Sequence, residues 1–169
     1  MTLWDFDENK NYTIIGKYKV LNLKDSEKAS KLLNDINKLI VKCFISIKNN
    51  EKETPELNIL LETPYFLQEM QLIKDQGIIK FEGLNKPKQV KLTGNKSIGK
   101  DGKLRATYRL IFLNLRNNSG KLKTLNQLKS LIAHELTHTA MNHVRWREDD
   151  PDEKFNYYNK LILRNILLN

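Results

Sequence analysis

The sequence predicts a single α+β domain, and three observations point to it. Helical periodicity brackets a central block of strand-like segments, which is the pattern of a sheet with helices segregated from it. At 169 residues the chain is long enough to bury one core and needs no second domain. Its content of 40% apolar and 29% charged residues is too hydrophobic for a disordered chain.

The first strand signal is YTIIGKYKV, residues 12 to 20. Asp25 or Ser26 can cap the helix that follows, whose apolar residues Leu32, Leu33, Ile36, Ile40, Val41 and Phe44 recur with a period near 3.6. NNEKETPE reads as a loop. Thr63-Pro64 predicts the start of a short helix running to Leu72, because proline at the first helical position loses no hydrogen bond that the helix needs.

From Gly77 to Arg116 the signals are strands and turns. GIIKFEGL and KQVKLTG predict short strands, and GKDGK predicts a turn. In LRATYRLIFLNLR, Tyr108, Leu110 and Phe112 point one way and Ile111, Leu113 and Leu115 the other, so a strand over 106 to 116 is apolar on both faces and largely covered. Thr124 and Gln127 form a capping-box pattern ahead of Leu125, Leu128, Leu131, Ile132 and Leu136, which predicts a helix from about 125 to about 142. A last helix, DEKFNYYNKLILRNILL, places Phe155, Tyr158, Ile162 and Ile166 on one stripe that packs under the helix before it.

Charge and cysteine usage bound the function. The opening MTLWDFDENKNY is acidic and lacks an apolar core segment, and LIVKCFISI is broken by Lys42 and too short to span a bilayer. The expectation is an intracellular protein, cytoplasmic or nuclear, with no membrane partner. The lone Cys43 agrees, since one thiol forms no internal disulfide, and its helical apolar setting suits a core residue. A net charge of +9 attracts polyanions, although a chain rich in Lys, Asn and Ile can acquire it from A/T-rich coding sequence alone. Residues 86 to 105 carry Lys86, Lys88, Lys91, Lys96, Lys100, Lys103 and Arg105 against the single acid Asp101. Lys88, Lys91 and Lys96 could lie along a phosphate backbone, or the segment could be a solvated, charge-protected turn.

The chemistry concentrates in HELTHTAMNH, residues 134 to 143, which hold all three histidines of the chain. His134 and His138 stand one turn apart on one side of the predicted helix, so two imidazoles can bite one metal ion. Glu135 beside them can take a proton from an attacking water, the arrangement of an H-E-x-x-H zinc site. With so few histidines, the pattern arises by chance on the order of once in a few hundred sequences. A catalytic zinc usually takes a third protein ligand. On an unbroken helix His143 lies about 900° past His134, on the opposite face, so it can bind only if the helix ends first. Asn142 tolerates the left-handed conformation that ends helices. Asp149 and Asp150 are the alternatives, unless these acids only complement the dipole of the last helix. Arg145, Tyr157 and Tyr158 could aid an oxyanion but are more often surface or core residues.

YRLIFLNLR, a short linker and TLNQLKSLIAHELTH together resemble the WLM family of zincin metallopeptidases, relatives of SprT-like proteases, and Gly83 to Asn85 resembles a further element upstream. The resemblance spans roughly residues 25 to 165. It implies a minimal zincin-like domain with a small mixed or antiparallel sheet packed on helices, a Zn2+ cofactor, a protein or peptide substrate, and action on proteins crosslinked to DNA. It also implies a third ligand in a downstream H-[DG]-x-x-F pattern. In DDPDEKF, Asp152 and Phe155 fit that pattern and Pro151 stands in place of the histidine. Two main functions therefore stay open, beside a weaker third, a zincin whose substrate is not a protein. One is a zinc metalloendopeptidase with Glu135 as base and the strand at 106 to 116 as the edge on which substrate pairs. The other is a degenerate basic module that binds nucleic acid or protein, with structural zinc or none.

Overall fold

The computed structural model describes residues 11–71, 74–75, 78–79, 82–93, 103–144 and 152–169. The chain opens with a hairpin, β1 (Tyr12–Ile15) and β2 (Tyr18–Leu21), paired antiparallel. The single strand expected over 12 to 20 is thus two strands. Gly16, at φ 62, supplies the left-handed residue that a two-residue turn demands at its first position.

Helix α1 (Ser26–Asn50) follows, with Leu33, Ile36, Ile40, Cys43 and Ile47 on its buried face. The expected cap is absent in its usual form. Asp25 occupies the N-cap without a side-chain cap hydrogen bond, because its carboxylate instead meets Arg116 at 2.8 Å. Cys43 is fully buried, and burial pushes its thiol up to about 12.

Helix α2 (Pro55–Glu62) corrects the expected start at Thr63-Pro64. Proline does sit at the first helical position, but it is the earlier one: Thr54 Oγ1 accepts from the backbone N–H of Leu57. The stretch after Pro64 is instead a strand, β3 (Tyr65–Glu69). Tertiary pairing outweighs local signals there, for β3 lies parallel to β9 (Tyr108–Leu113) along its whole length.

The main sheet has the order β3-β9-β6, where β6 (Gly83–Lys88) runs antiparallel to β9. Two corrections follow. The strand over 106 to 116 is not an edge: β9 is central and hydrogen-bonded on both sides, as its two apolar faces require. The outer strand next to the third helix is β6, where Pro87 is tolerated because an edge position does not need its missing N–H. The segments expected as GIIKFEGL and KQVKLTG are also shifted. Short strands β4 (Lys74–Asp75) and β5 (Ile78–Ile79) pair with each other, and β7 (Lys91–Thr93) pairs with β8 (Lys103–Arg105). The β7–β8 pair continues the β6–β9 ribbon past a kink, where Gln89 has φ 49 and Thr107 donates its N–H to the carbonyls of Lys88 and Gln89. Most of the GKDGK turn lies outside the described residues.

Two more helices complete the core, and the first of them lies against β6 and β9. The third, α3 (Leu125–Ala140), starts at the expected capping box: Gln127 N–H donates to Thr124 Oγ1, and Thr124 N–H donates to Gln127 Oε1. The fourth, α4 (Asp152–Leu167), packs against α3 and α1 through Tyr158, Leu161, Ile162 and Ile166. The chain is therefore an α+β domain. Among the described residues, no helix is long and apolar enough to cross a membrane.

Candidate metal centre

The last turns of α3 carry the cluster. Glu135 points inward and is 3% exposed, whereas His134 keeps an exposed edge and His138 is half-buried. The Nε2 atoms of His134 and His138 stand 3.3 Å apart. That is the separation expected of two nitrogens held about 2.0–2.1 Å from one tetrahedral zinc ion, about 3.3 Å. Ligand atoms of His134, Glu135 and His138 all lie within 4.8 Å of one another.

Two further observations test whether this donor set fits a cation. Oε2 of Glu135 is buried without a hydrogen-bond partner, and burial pushes the carboxyl up to about 8 although Arg109 pulls it down. Burial also lowers both imidazoles. That of His138 falls to about 3, with His134, His143 and Arg109 adding to the effect, so both rings are neutral and offer lone pairs at physiological pH. Two neutral imidazoles, beside a buried carboxyl oxygen without a partner whose raised pKa a nearby cation would pull back down, form a setting that a divalent cation would suit.

The helix ends where the sequence allows it to. Met141 is the C-cap, and Asn142 takes the left-handed conformation at φ 56. His143 N–H donates to the His138 carbonyl and Asn142 N–H to that of Thr139, the two bonds of a Schellman motif. This turn brings His143 back against the helix. Its Nδ1 lies 2.7 Å from Nδ1 of His138, a hydrogen-bond distance on the ring edge opposite the one that shares 3.3 Å with His134. His143 is thus joined to the cluster, but through the far side of His138.

The sheet fixes the helix from behind. Asn85 of β6 donates from Nδ2 to the Glu135 carbonyl (2.6 Å) and to Thr139 Oγ1 (2.7 Å). Its Oδ1 accepts from Nε of Arg109, which is 1% exposed on β9 and donates from Nη2 to the His143 carbonyl (2.6 Å). Gly83 permits the close approach, since a Cβ there would stand 3.0 Å from Leu131 Cδ1 and 3.1 Å from Glu135 Cδ. From α4, Phe155 lies with its ring centre 5.2 Å from that of His134, 5.1 Å from His138 and 6.2 Å from His143.

In the sequence, Gly83 and Asn85 stand out only through the resemblance, Phe155 through both the resemblance and the apolar stripe of the last helix, and Arg109 has no role. The one available signal was an arginine inside a strand apolar on both faces, a position that calls for a buried partner. The remaining candidates fall elsewhere. Asp149, Asp150, Pro151, Arg145 and Lys96 lie outside the described residues. Tyr158 is a core residue whose hydroxyl meets Thr54 and Glu56, and Tyr157 is 61% exposed. Lys88 is half-buried on β6 and Lys91 is exposed on β7. Compared with protein-family models, with curated proteins and with solved structures, the chain finds no match.

Proposed function

We propose that this chain is a zincin-like zinc metallopeptidase of the WLM and SprT-like kind. The observation that carries the reading is the juxtaposition of two neutral imidazoles, 3.3 Å apart at Nε2, with a buried carboxylate oxygen that has no partner. His134 and His138 would hold the zinc, which supplies Lewis acidity when bound. Glu135 would take the proton of the attacking water and return it to the leaving amine. Its burial raises its affinity for the proton above that of an exposed glutamate, and the charge of a bound cation would lower it again so that the group is ionised when it meets the water. A substrate in extended form would pair along the outer edge of β6, the strand bonded to the Glu135 carbonyl through Asn85.

The net charge of +9, with Lys91 exposed on the β7–β8 ribbon, supports protein substrates held on DNA. Pro151, standing where the family pattern has a histidine, favours a second reading: a basic binding module that has lost catalysis.

The test combines metal analysis with cleavage. Wild type should carry about one zinc per chain, and His138→Ala should lose most of it. Glu135→Gln should keep the zinc, keep its salt-sensitive affinity for single-stranded DNA, and lose several orders of magnitude in cleavage of a basic protein substrate. Metal-free native protein would end the zinc reading. Zinc-loaded wild type as inert as Glu135→Gln, with and without DNA, would favour the binding module.

A further inference from the structure

His143 is the one histidine of the three that the helix itself does not place, and its position is over-determined. The Schellman turn at Asn142 brings it back, Arg109 grips its carbonyl oxygen, and Phe155 lies nearly parallel to its ring, 8° between the planes. Such an arrangement fixes where the imidazole of His143 stands. What that imidazole meets is the Nδ1 edge of His138 at 2.7 Å. Two ligands of one tetrahedral zinc would stand about 3.3 Å apart, so this shorter contact is a hydrogen bond and not a shared ion.

A hydrogen bond between two ring nitrogens needs one proton, and the tautomers decide which ring supplies it. If His138 is to present a lone pair at Nε2 toward the point it shares with His134, its single proton must sit on Nδ1. That N–H then donates to Nδ1 of His143, whose own proton sits on Nε2. We propose that His143 is a positioning residue: it holds His138 in the Nδ1–H tautomer and at the ring angle that turns Nε2 toward His134, with Arg109 fixing His143 through its backbone carbonyl.

This proposal rests on the zinc reading for its purpose but not for its geometry, since the hydrogen bond belongs to the metal-free chain. It also gives β9 a part in the site. The buried guanidinium binds Asn85, which holds the carbonyl of Glu135 on the helix, and the His143 carbonyl beyond the helix end. One cation thereby registers the base and the orienting imidazole against the same strand.

Nitrogen-15 NMR of the metal-free protein tests it, and three histidines are few enough to assign by single substitutions. In wild type, His138 is expected as the Nδ1–H tautomer with an N–N coupling to His143. In His143→Ala it should revert to the Nε2–H form that free histidine prefers, and zinc affinity should fall about 10–100-fold. His143→Asn places Oδ1 where Nδ1 stood. As an acceptor it should restore the tautomer and most of the affinity.

An unchanged His138 tautomer in His143→Ala, or an Asn variant no better than the Ala variant in both readouts, would overturn the proposal. Should His143→Ala fail to fold, wild type decides alone, because an Nε2–H tautomer at His138 without the coupling refutes it. A wild type that shows tautomer and coupling yet titrates no zinc upholds the positioning role and refutes the metal reading.

Discussion

Glu135 is held at a spacing that leaves no room for a methyl group on the neighbouring strand. Gly83 is the residue that makes this possible, because a Cβ there would come within 3.1 Å of both Cγ and Cδ of the glutamate and 3.0 Å of Leu131. Backbone freedom is not the reason for this glycine; the close approach of β6 to α3 is. Gly83→Ala should therefore move the carboxylate by a few tenths of an ångström while leaving both imidazoles in place. The expected outcome is retained zinc, a stability loss of about 1–3 kcal/mol from overpacking, and a fall in kcat larger than any change in KM. Zinc content, urea unfolding and steady-state cleavage together read it. Loss of zinc in this variant would show that β6 supports the ligands as well as the base.

The same site can be probed at the scale of elements, where α3 has two ends with different duties. Its N-terminal capping box lies about 20 Å from His138 along the axis. Thr124→Ala should lower stability by about 1 kcal/mol and leave zinc affinity unchanged. At the other end Asn142 does two things at once: it adopts φ 56, and its Nδ2 donates to the Leu104 carbonyl of β8 at 2.9 Å. Asn142→Ala keeps neither with ease. A left-handed alanine costs about 1–2 kcal/mol, and a turn that relaxes from it withdraws His143 from His138. The expected signature is a combined loss of stability and zinc affinity, against the pure stability loss of Thr124→Ala. Calorimetric melts and zinc titrations of the two variants compare them directly. Equal zinc affinity in both would mean that the helix end does not serve the site.

Across the whole molecule, one buried ion cluster ties the pieces that no single element holds. Arg116, 2% exposed just after β9, donates from Nε to Glu69 Oε2 at 2.7 Å and from Nη1 to Asp25 Oδ2 at 2.8 Å. Glu69, fully buried at the end of β3, also accepts from the Leu21 N–H at 2.9 Å. The hairpin, the start of α1 and the central sheet thus share one charge network. Glu69→Gln would leave the buried guanidinium with Asp25 as its one charged partner among the described residues, beside the Gly120 carbonyl that also accepts from Nη1. A cost of about 3–5 kcal/mol is expected, read as a shift of the urea midpoint with little change in slope. Zinc affinity of the fraction that remains folded should be unaffected, since this cluster has no hydrogen bond to the His134–His143 segment.

Much of this molecule was legible from local signals. The helix bearing the histidines, its capping box, the last helix and the buried Cys43 each follow from periodicity and from residues that act on their own neighbours. Even the helix end at Asn142 could be anticipated, because its physical cause is a conformational preference of one side chain. The Thr63-Pro64 start failed for the opposite reason. Proline chemistry there was equally good for two sites, and only pairing with β9 decided that Tyr65–Glu69 is a strand. The same limit explains why β9 was expected at an edge: a strand apolar on both faces announces its burial but not the identity of its neighbours. Where a donor set is built from one helix, spacing along the sequence suffices, since 3.6 residues per turn fixes which side chains meet. Tertiary structure alone decided that Arg109 and Asn85, separated from the helix by the fold's long-range pairings, reach the back of that helix. It alone decided that His143 meets His138 at the nitrogen facing away from His134, because no periodicity determines which edge of a ring a returning chain will touch.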